Sequence, residues 1–159
     1  MSVIYKPSPA FVGASWAALA VGVIAYLIGV YNAPMELNEQ GYYFICLLFG
    51  LYASISLQKT VRDKMEGLPV TNIYFTLSWG ALGSSIGLLL IGLWNAEMQL
   101  NEKGFFLMGF TLSLFAAIAV QKNTRDLIAF ASTQPDQEDH EDTHHEDHPT
   151  PAVEVQDAR

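Results

Sequence analysis

Residues 28–41 read I-G-V-Y-N-A-P-M-E-L-N-E-Q-G, and residues 91–104 read I-G-L-W-N-A-E-M-Q-L-N-E-K-G. The two copies align without a gap, at an offset of 63 residues (28 to 91). Each is a short polar link between two long apolar runs. Extending the alignment outward, residues 11–63 and 74–126 agree at about 20 of 53 positions, which marks a duplicated unit. Trp16 matches Trp79, and Q-K-T-V-R-D at 58–63 matches Q-K-N-T-R-D at 121–126.

The apolar runs set the fold class. Phe11–Tyr31 is uncharged, and at about 1.5 Å per helical residue it reaches across a hydrocarbon core of about 30 Å. It is longer than the roughly 7–15 apolar residues of a cleaved signal and is followed by further spans, so it reads as a retained membrane helix. The expected spans are about 11–31, 41–58, 73–94 and 104–121, and none contains Asp, Glu, Lys, Arg or His. The expectation is an all-α membrane protein with four transmembrane helices. These form two tandem helical hairpins, residues 5–67 and 68–130, followed by a disordered acidic, His-containing tail at 131–159. Each unit crosses the bilayer twice, so the repeats run parallel, related by an axis along the membrane normal.

Asn32 and Pro34 are expected to stop the first helix, Asn by tolerating a left-handed residue and Pro by its missing N–H. Asn38 reads as the N-cap of the next helix, with Glu39 in its first turn; Asn95, Asn101 and Glu102 repeat the pattern. Leu37 and Leu100 are expected to plug the interface, and Gly41 and Gly104 to permit close approach. Gly67 and Pro69 end the second helix. Lys59–Asp63 and Arg62–Glu66 are expected i,i+4 ion pairs. Small residues recur four apart: Ala14, Ala18 and Gly22; Gly50 and Ser54; Gly80 with Ser84; Gly83 with Gly87; Ser113 with Ala117. They predict close helix packing.

The chain is 51% hydrophobic and only 15% charged, where a soluble domain carries about 25%. Its net charge of −8 is formally that of the tail, because residues 1–132 balance acids and bases. Cys46 is the one cysteine, so no disulfide forms within the chain, and in an apolar run it reads as a packing residue. Lys59, Arg62, Lys64, Lys122 and Arg125 lie on one side of the spans. The links hold Glu36, Glu39, Glu97 and Glu102 against Lys103 alone. The positive-inside rule puts both termini and the middle loop in the cytoplasm. Tyr31, Tyr42, Tyr43 and Trp94 are expected to form an outer aromatic belt.

Three groups of residues could carry chemistry. Glu39 and Glu102, with Asn32, Asn38, Gly41, Asn95, Asn101 and Gly104, read either as an external cation site or as helix caps. Gln58, Lys59, Arg62, Asp63, Gln121, Lys122, Arg125 and Asp126 read either as a site for lipid headgroups or a cytoplasmic partner, or as interfacial anchors. His140, His144, His145 and His148 alternate with carboxylates, a composition that chelates Zn²⁺ or Ni²⁺ loosely or is simply solvated. No phosphate-binding glycine loop, nucleophile elbow, zinc-protease helix or basic nucleic-acid stripe is present.

The paired N-A-x-M-x-L-N-E-x-G links with their Q-K-x-x-R-D ends resemble the YiaA/YiaB family of bacterial inner membrane proteins. The resemblance covers roughly residues 5–130 in two tandem copies, and the tail lies outside it. It implies a two-helix membrane unit and the inner membrane, and carries over no activity, substrate or catalytic residue. The leading expectation is a non-enzymatic structural or interaction module of the envelope without a cofactor. Its expected partners are the bilayer and a second copy or another membrane protein. The alternative is a small oligomeric channel or transporter with Glu39 and Glu102 at its outer mouth.

Overall fold

A computed structural model describes residues 6–133, so the tail histidines and the rest of the tail lie outside the described residues. Four helices follow one another: α1 Pro9–Asn32, α2 Leu37–Met65, α3 Asn72–Asn95 and α4 Leu100–Thr133. All four are long and apolar enough to cross a membrane. The fourth runs past the expected span end at 121 and absorbs residues 131–133, which the sequence assigned to the tail.

The helix ends follow the duplication. Ser8 and Thr71, 63 residues apart, each cap a helix by accepting a hydrogen bond, from the backbone N–H of Phe11 and of Tyr74 respectively (3.3 Å each). Both α1 and α3 end at an asparagine. Neither asparagine turns left-handed; the residue after each, Ala33 or Ala96, is extended (φ −68°, ψ 141° and φ −70°, ψ 139°). Instead, the Asn32 and Asn95 amides donate back to the carbonyls of Ile28 and Ile91 (2.9 and 2.8 Å). α2 closes as expected at Gly67, whose φ of +75° suits glycine. There the N–H of Leu68 donates to Asp63 (2.9 Å) and that of Gly67 to Lys64 (3.3 Å), the paired bonds of a Schellman turn.

Packing reveals what the hairpin topology alone does not. α1 packs along α4, and α3 along α2, so the first helix of each repeat lies on the second helix of the other. α2 and α4 also meet in the centre. Their most apolar stretches are 39% buried, against 17% and 22% for those of α1 and α3, which are therefore the outer helices. The buried face of α1 (Ser15, Gly22, Tyr26, Val30) is that of α3 (Ser78, Ser85, Leu89, Leu93) moved by the repeat offset. The buried positions of α2 and α4 correspond in the same way. The molecule is thus a pseudo-twofold, interlocked pair of hairpins.

The core sits on the axis towards the link end: Tyr26, Tyr43, Leu47, Leu89, Phe106 and Phe110 are nearly or wholly inaccessible. Tyr43 and Phe106, equivalent across the repeats, face each other with ring centres 5.5 Å apart. Tyr26 packs edge-on against Phe106 (5.4 Å), and its hydroxyl donates to the Tyr43 carbonyl (3.0 Å), the partner that a buried phenol needs. Tyr43 therefore belongs to the core rather than to the aromatic belt. Tyr31 and Trp94 do face outward, at 82% and 86% exposed.

Nearer the other end two buried polar pairs hold the seams. Asn123 of α4 donates to Ser15 of α1 (3.1 Å), and Thr60 of α2 bonds Ser78 of α3 (3.3 Å). These are one pair in two copies, and such bonds between helices are favoured where lipid offers no alternative partner. The small residues divide. Gly22, Gly50, Ser54, Ser113 and Ala117 are buried at seams, whereas a Cβ on Gly80, Gly83 or Gly87 would meet nothing within 4 Å. The α3 stripe therefore makes no close approach within this chain.

A Cβ on Gly22 would stand 2.7 Å from Ser113 Oγ and 2.9 Å from the Ser113 backbone nitrogen, so α1 and α4 would have to separate. Gly22→Ala is expected to lower stability by about 1–3 kcal/mol, the usual cost of overpacking. Gly80→Ala should be neutral or slightly stabilising; thermal unfolding of both variants in detergent checks the contrast.

Candidate functional site

The link end carries two cavities built on the same plan. The larger, about 620 Å³, lies between the start of α2 (Asn38, Glu39, Tyr42, Tyr43) and the end of α3 (Gly92, Asn95). The smaller, about 390 Å³, lies between the start of α4 (Asn101, Glu102, Phe105, Phe106) and the end of α1 (Gly29, Asn32). Each therefore draws its walls from both repeats. A glycine opens each one: a Cβ on Gly92 would fall 2.6 Å from the Tyr42 ring, and one on Gly29 3.0 Å from the Phe105 ring.

The two glutamates do the same local work. Glu39 Oε2 accepts from the backbone N–H of Glu36 (3.0 Å), and Glu102 Oε2 from that of Gln99 (2.9 Å). In α2 this makes Glu36 the cap residue and Glu39 the third helical residue of a capping box. Asn38, expected as the cap, is inside the first turn, because the chain enters the helix at Leu37. The carboxylates also sit at a helix N-terminus, where the backbone dipoles favour negative charge.

Glu39 and Glu102 line different cavities, and the partner of Glu39 in its cavity is Glu97. Leu37 and Leu100 plug nothing; they are 84% and 85% exposed. Gly41 and Gly104 open no close contact, since a Cβ on either meets nothing within 4 Å. The residues that do plug the link end are Met35 and Met98, packed on the core, with Met98 lining both cavities. The pairing M-x-L in both links was the available signal, and Met was the member of it that turns inward.

At the opposite end the Q-K-x-x-R-D blocks form a charged collar. Arg62 pairs with Asp63 (3.0 Å) and Glu66 (3.5 Å), Lys122 with Asp126 (3.1 Å), and Arg125 crosses from α4 to Glu66, the residue that closes α2 (3.3 Å). Asp63 thus takes Arg62 rather than the expected Lys59, which is exposed. The amide oxygens of Gln58 and Gln121 are buried without a partner. Lys64 lies over the Phe75 ring (4.2 Å), and Lys6 over Phe130 (5.4 Å), which sets the start of the described chain beside the far end of α4. Among the described residues no group of three or more His, Cys, Asp or Glu could hold a metal ion.

The sequence profile of the yiaA/B two-helix domain matches twice, at residues 11–63 and 74–126. The chain belongs to the YiaA/B family. It is 55% identical to inner membrane protein YiaA of Escherichia coli (strain K12) over 119 residues, 75% of this chain and 82% of that protein. It is 38% identical to uncharacterized membrane protein YubF of Bacillus subtilis (strain 168) over 58 residues, 36% of this chain and 67% of that one. No solved structure matches. Each profile match ends on the aspartate of a Q-K-x-x-R-D block and contains one whole link, so the family unit is one link with its two helices. With four apolar helices, membership makes this a multi-pass inner membrane protein.

The equivalent caps predict equivalent costs. Glu39→Ala and Glu102→Ala should each destabilise their helix start by roughly 0.5–2 kcal/mol, whereas Leu37→Ala should cost little. Amide hydrogen exchange at the first turns of α2 and α4 reads this directly.

Proposed function

We propose that the protein is a non-enzymatic interaction module of the inner membrane, with its link end facing outward and both termini in the cytoplasm. The observation that carries this is the filled axis. Tyr43 against Phe106, with Phe110 held so tightly that a Cβ on Gly50 would stand 2.6 Å from its ring, closes the space between the two central helices. A chain that moved a solute between its own repeats would need that space open. The functional groups gather instead at the two ends: cavities with carboxylates and asparagines at the links, and an ion-paired collar at the other end. Grouping of the basic residues at the collar supports the orientation, as excess Lys and Arg mark the cytoplasmic side.

Two measurements test the reading. Reconstituted liposomes should pass ions and small solutes no faster than empty ones; flux that Glu39 and Glu102 substitutions alter would establish the channel instead. In a Cys46→Ser background, Asn101→Cys should react in intact cells with a thiol reagent that cannot cross the inner membrane, and Lys64→Cys only after permeabilisation. The reverse pattern would overturn the orientation.

A further inference from the structure

The two link cavities share a plan but not a chemistry. At the repeat offset Tyr42 and Tyr43 of the larger correspond to Phe105 and Phe106 of the smaller, and Glu97 corresponds to Pro34. The larger cavity has therefore a phenol at each position where its twin has a bare ring, and a second carboxylate. Tyr42 uses its hydroxyl to donate to the Leu88 carbonyl of α3. Tyr43 does not: the side chain is 97% buried (3% exposed), yet its hydroxyl makes no hydrogen bond among the described residues. That oxygen lies 3.3 Å from where a Cβ on Gly92 would stand, and Gly92 is a wall of the cavity. The hydroxyl itself is not sealed off, so its unused hydrogen-bonding capacity is open to whatever the cavity holds.

The groups facing this space are of one electrostatic kind. Glu39 spends one oxygen on its cap and keeps the other. Glu97 is exposed and makes no ion pair among the described residues. Asn38 and Asn95 add amide oxygens, and no lysine or arginine lines the cavity. The space is far too roomy for a bare metal ion, whose oxygen ligands would stand 2.0–2.6 Å away. Aromatic faces and the Met35 and Met98 thioethers make up much of the remaining wall, which suits a cation with an apolar body.

We propose that this cavity binds a primary ammonium group carried on a small organic body. Its N–H bonds are donated to the free oxygens of Glu39 and Glu97 and to the Tyr43 hydroxyl, with its body against the Tyr42 ring. The cavity lies at the link end of four helices long and apolar enough to cross a membrane, so the ammonium comes from a free amine or from an ethanolamine lipid headgroup. The proposal deepens the interaction-module reading by naming what the link end holds. Binding and flux are measured separately, so either can fail without the other.

The test uses the full chain in nanodiscs of phosphatidylglycerol, which has no ammonium. In one arm n-butylammonium is titrated by calorimetry; in the other, thermal midpoints are compared between phosphatidylglycerol and phosphatidylethanolamine discs. The wild type should respond in at least one arm, a response in the first alone marking a free amine and in the second alone a headgroup. Glu97→Gln and Tyr43→Phe should weaken that response tenfold or more, and Glu102→Gln, which alters only the twin cavity, should leave it. Tyr43→Phe reproduces the residue at the twin position, and the Tyr26 bond goes to the backbone carbonyl, so folding is preserved. The proposal falls if neither arm responds or both variants respond like wild type. It falls equally if Mg²⁺ alone saturates the site while the amine does not.

Discussion

The interlocking of the repeats is the constraint from which the rest follows. In a bilayer, burying apolar side chains against each other gains little over burying them in lipid, so helices are held by close packing and by polar bonds that lipid cannot supply. Here both kinds of contact lie between repeats. Gly22 takes α1 onto Ser113 of α4, and the Asn123–Ser15 and Thr60–Ser78 bonds join each outer helix to the central helix of the other repeat. The two helices of one hairpin share a link but few of these contacts. A single repeat would expose its serines and its glycine notch to lipid, so two are needed to close the structure. The Bacillus relative aligns over 58 residues, close to one repeat, and on this logic such a unit would need a second copy.

The duplication also tells which features are structural. Where both copies keep a residue in one role, a shared physical demand explains it: Ser8 and Thr71 cap, Asn32 and Asn95 bond back to their helices, Glu39 and Glu102 satisfy the N–H at a helix start. Where the copies differ at the core, the difference is compensated. Tyr26 replaces the leucine found at 89 and brings a hydroxyl, which the Tyr43 carbonyl receives across the axis. That bond also draws α1 towards α2, a contact that its twin pair of helices lacks in comparable strength.

The spans, the repeat and the close of α2 were legible in the sequence because each rests on local chemistry: uncharged length, matched blocks, Gly67 ahead of Pro69. Which repeat packs on which was not legible. Periodicity marks an apolar or small-residue face of a helix but not which helix covers it. The direction of a small-residue stripe was hidden for the same reason. Gly80–Ser84 and Gly22 look alike as patterns, but only Gly22 has a neighbouring backbone to approach. The links were read two residues out of register because Asn38 is a good cap by type. What decides is the geometry of the entering chain, which starts the helix at Leu37 and makes Glu36 the cap. In the candidate site, Glu39 was visible, but Glu97 was not its expected companion, because the interlock sets α3 rather than α4 against the start of α2.

The position of Glu97 shows why chemistry could change there and not at Glu39. Residue 39 is tied to the helix start; replacing it leaves a backbone N–H without an acceptor. Residue 97 follows an alanine whose backbone is the same whether proline or glutamate comes next, as Ala33 and Ala96 demonstrate with φ and ψ within a few degrees of each other. Proline would ordinarily be credited with forcing that extended conformation. Since Ala96 adopts it without one, the conformation is set by the helix end and the packing of the link. The side chain at 34 or 97 is then free to vary. A carboxylate at that free position, beside a phenol left without a partner, is a difference that folding does not require.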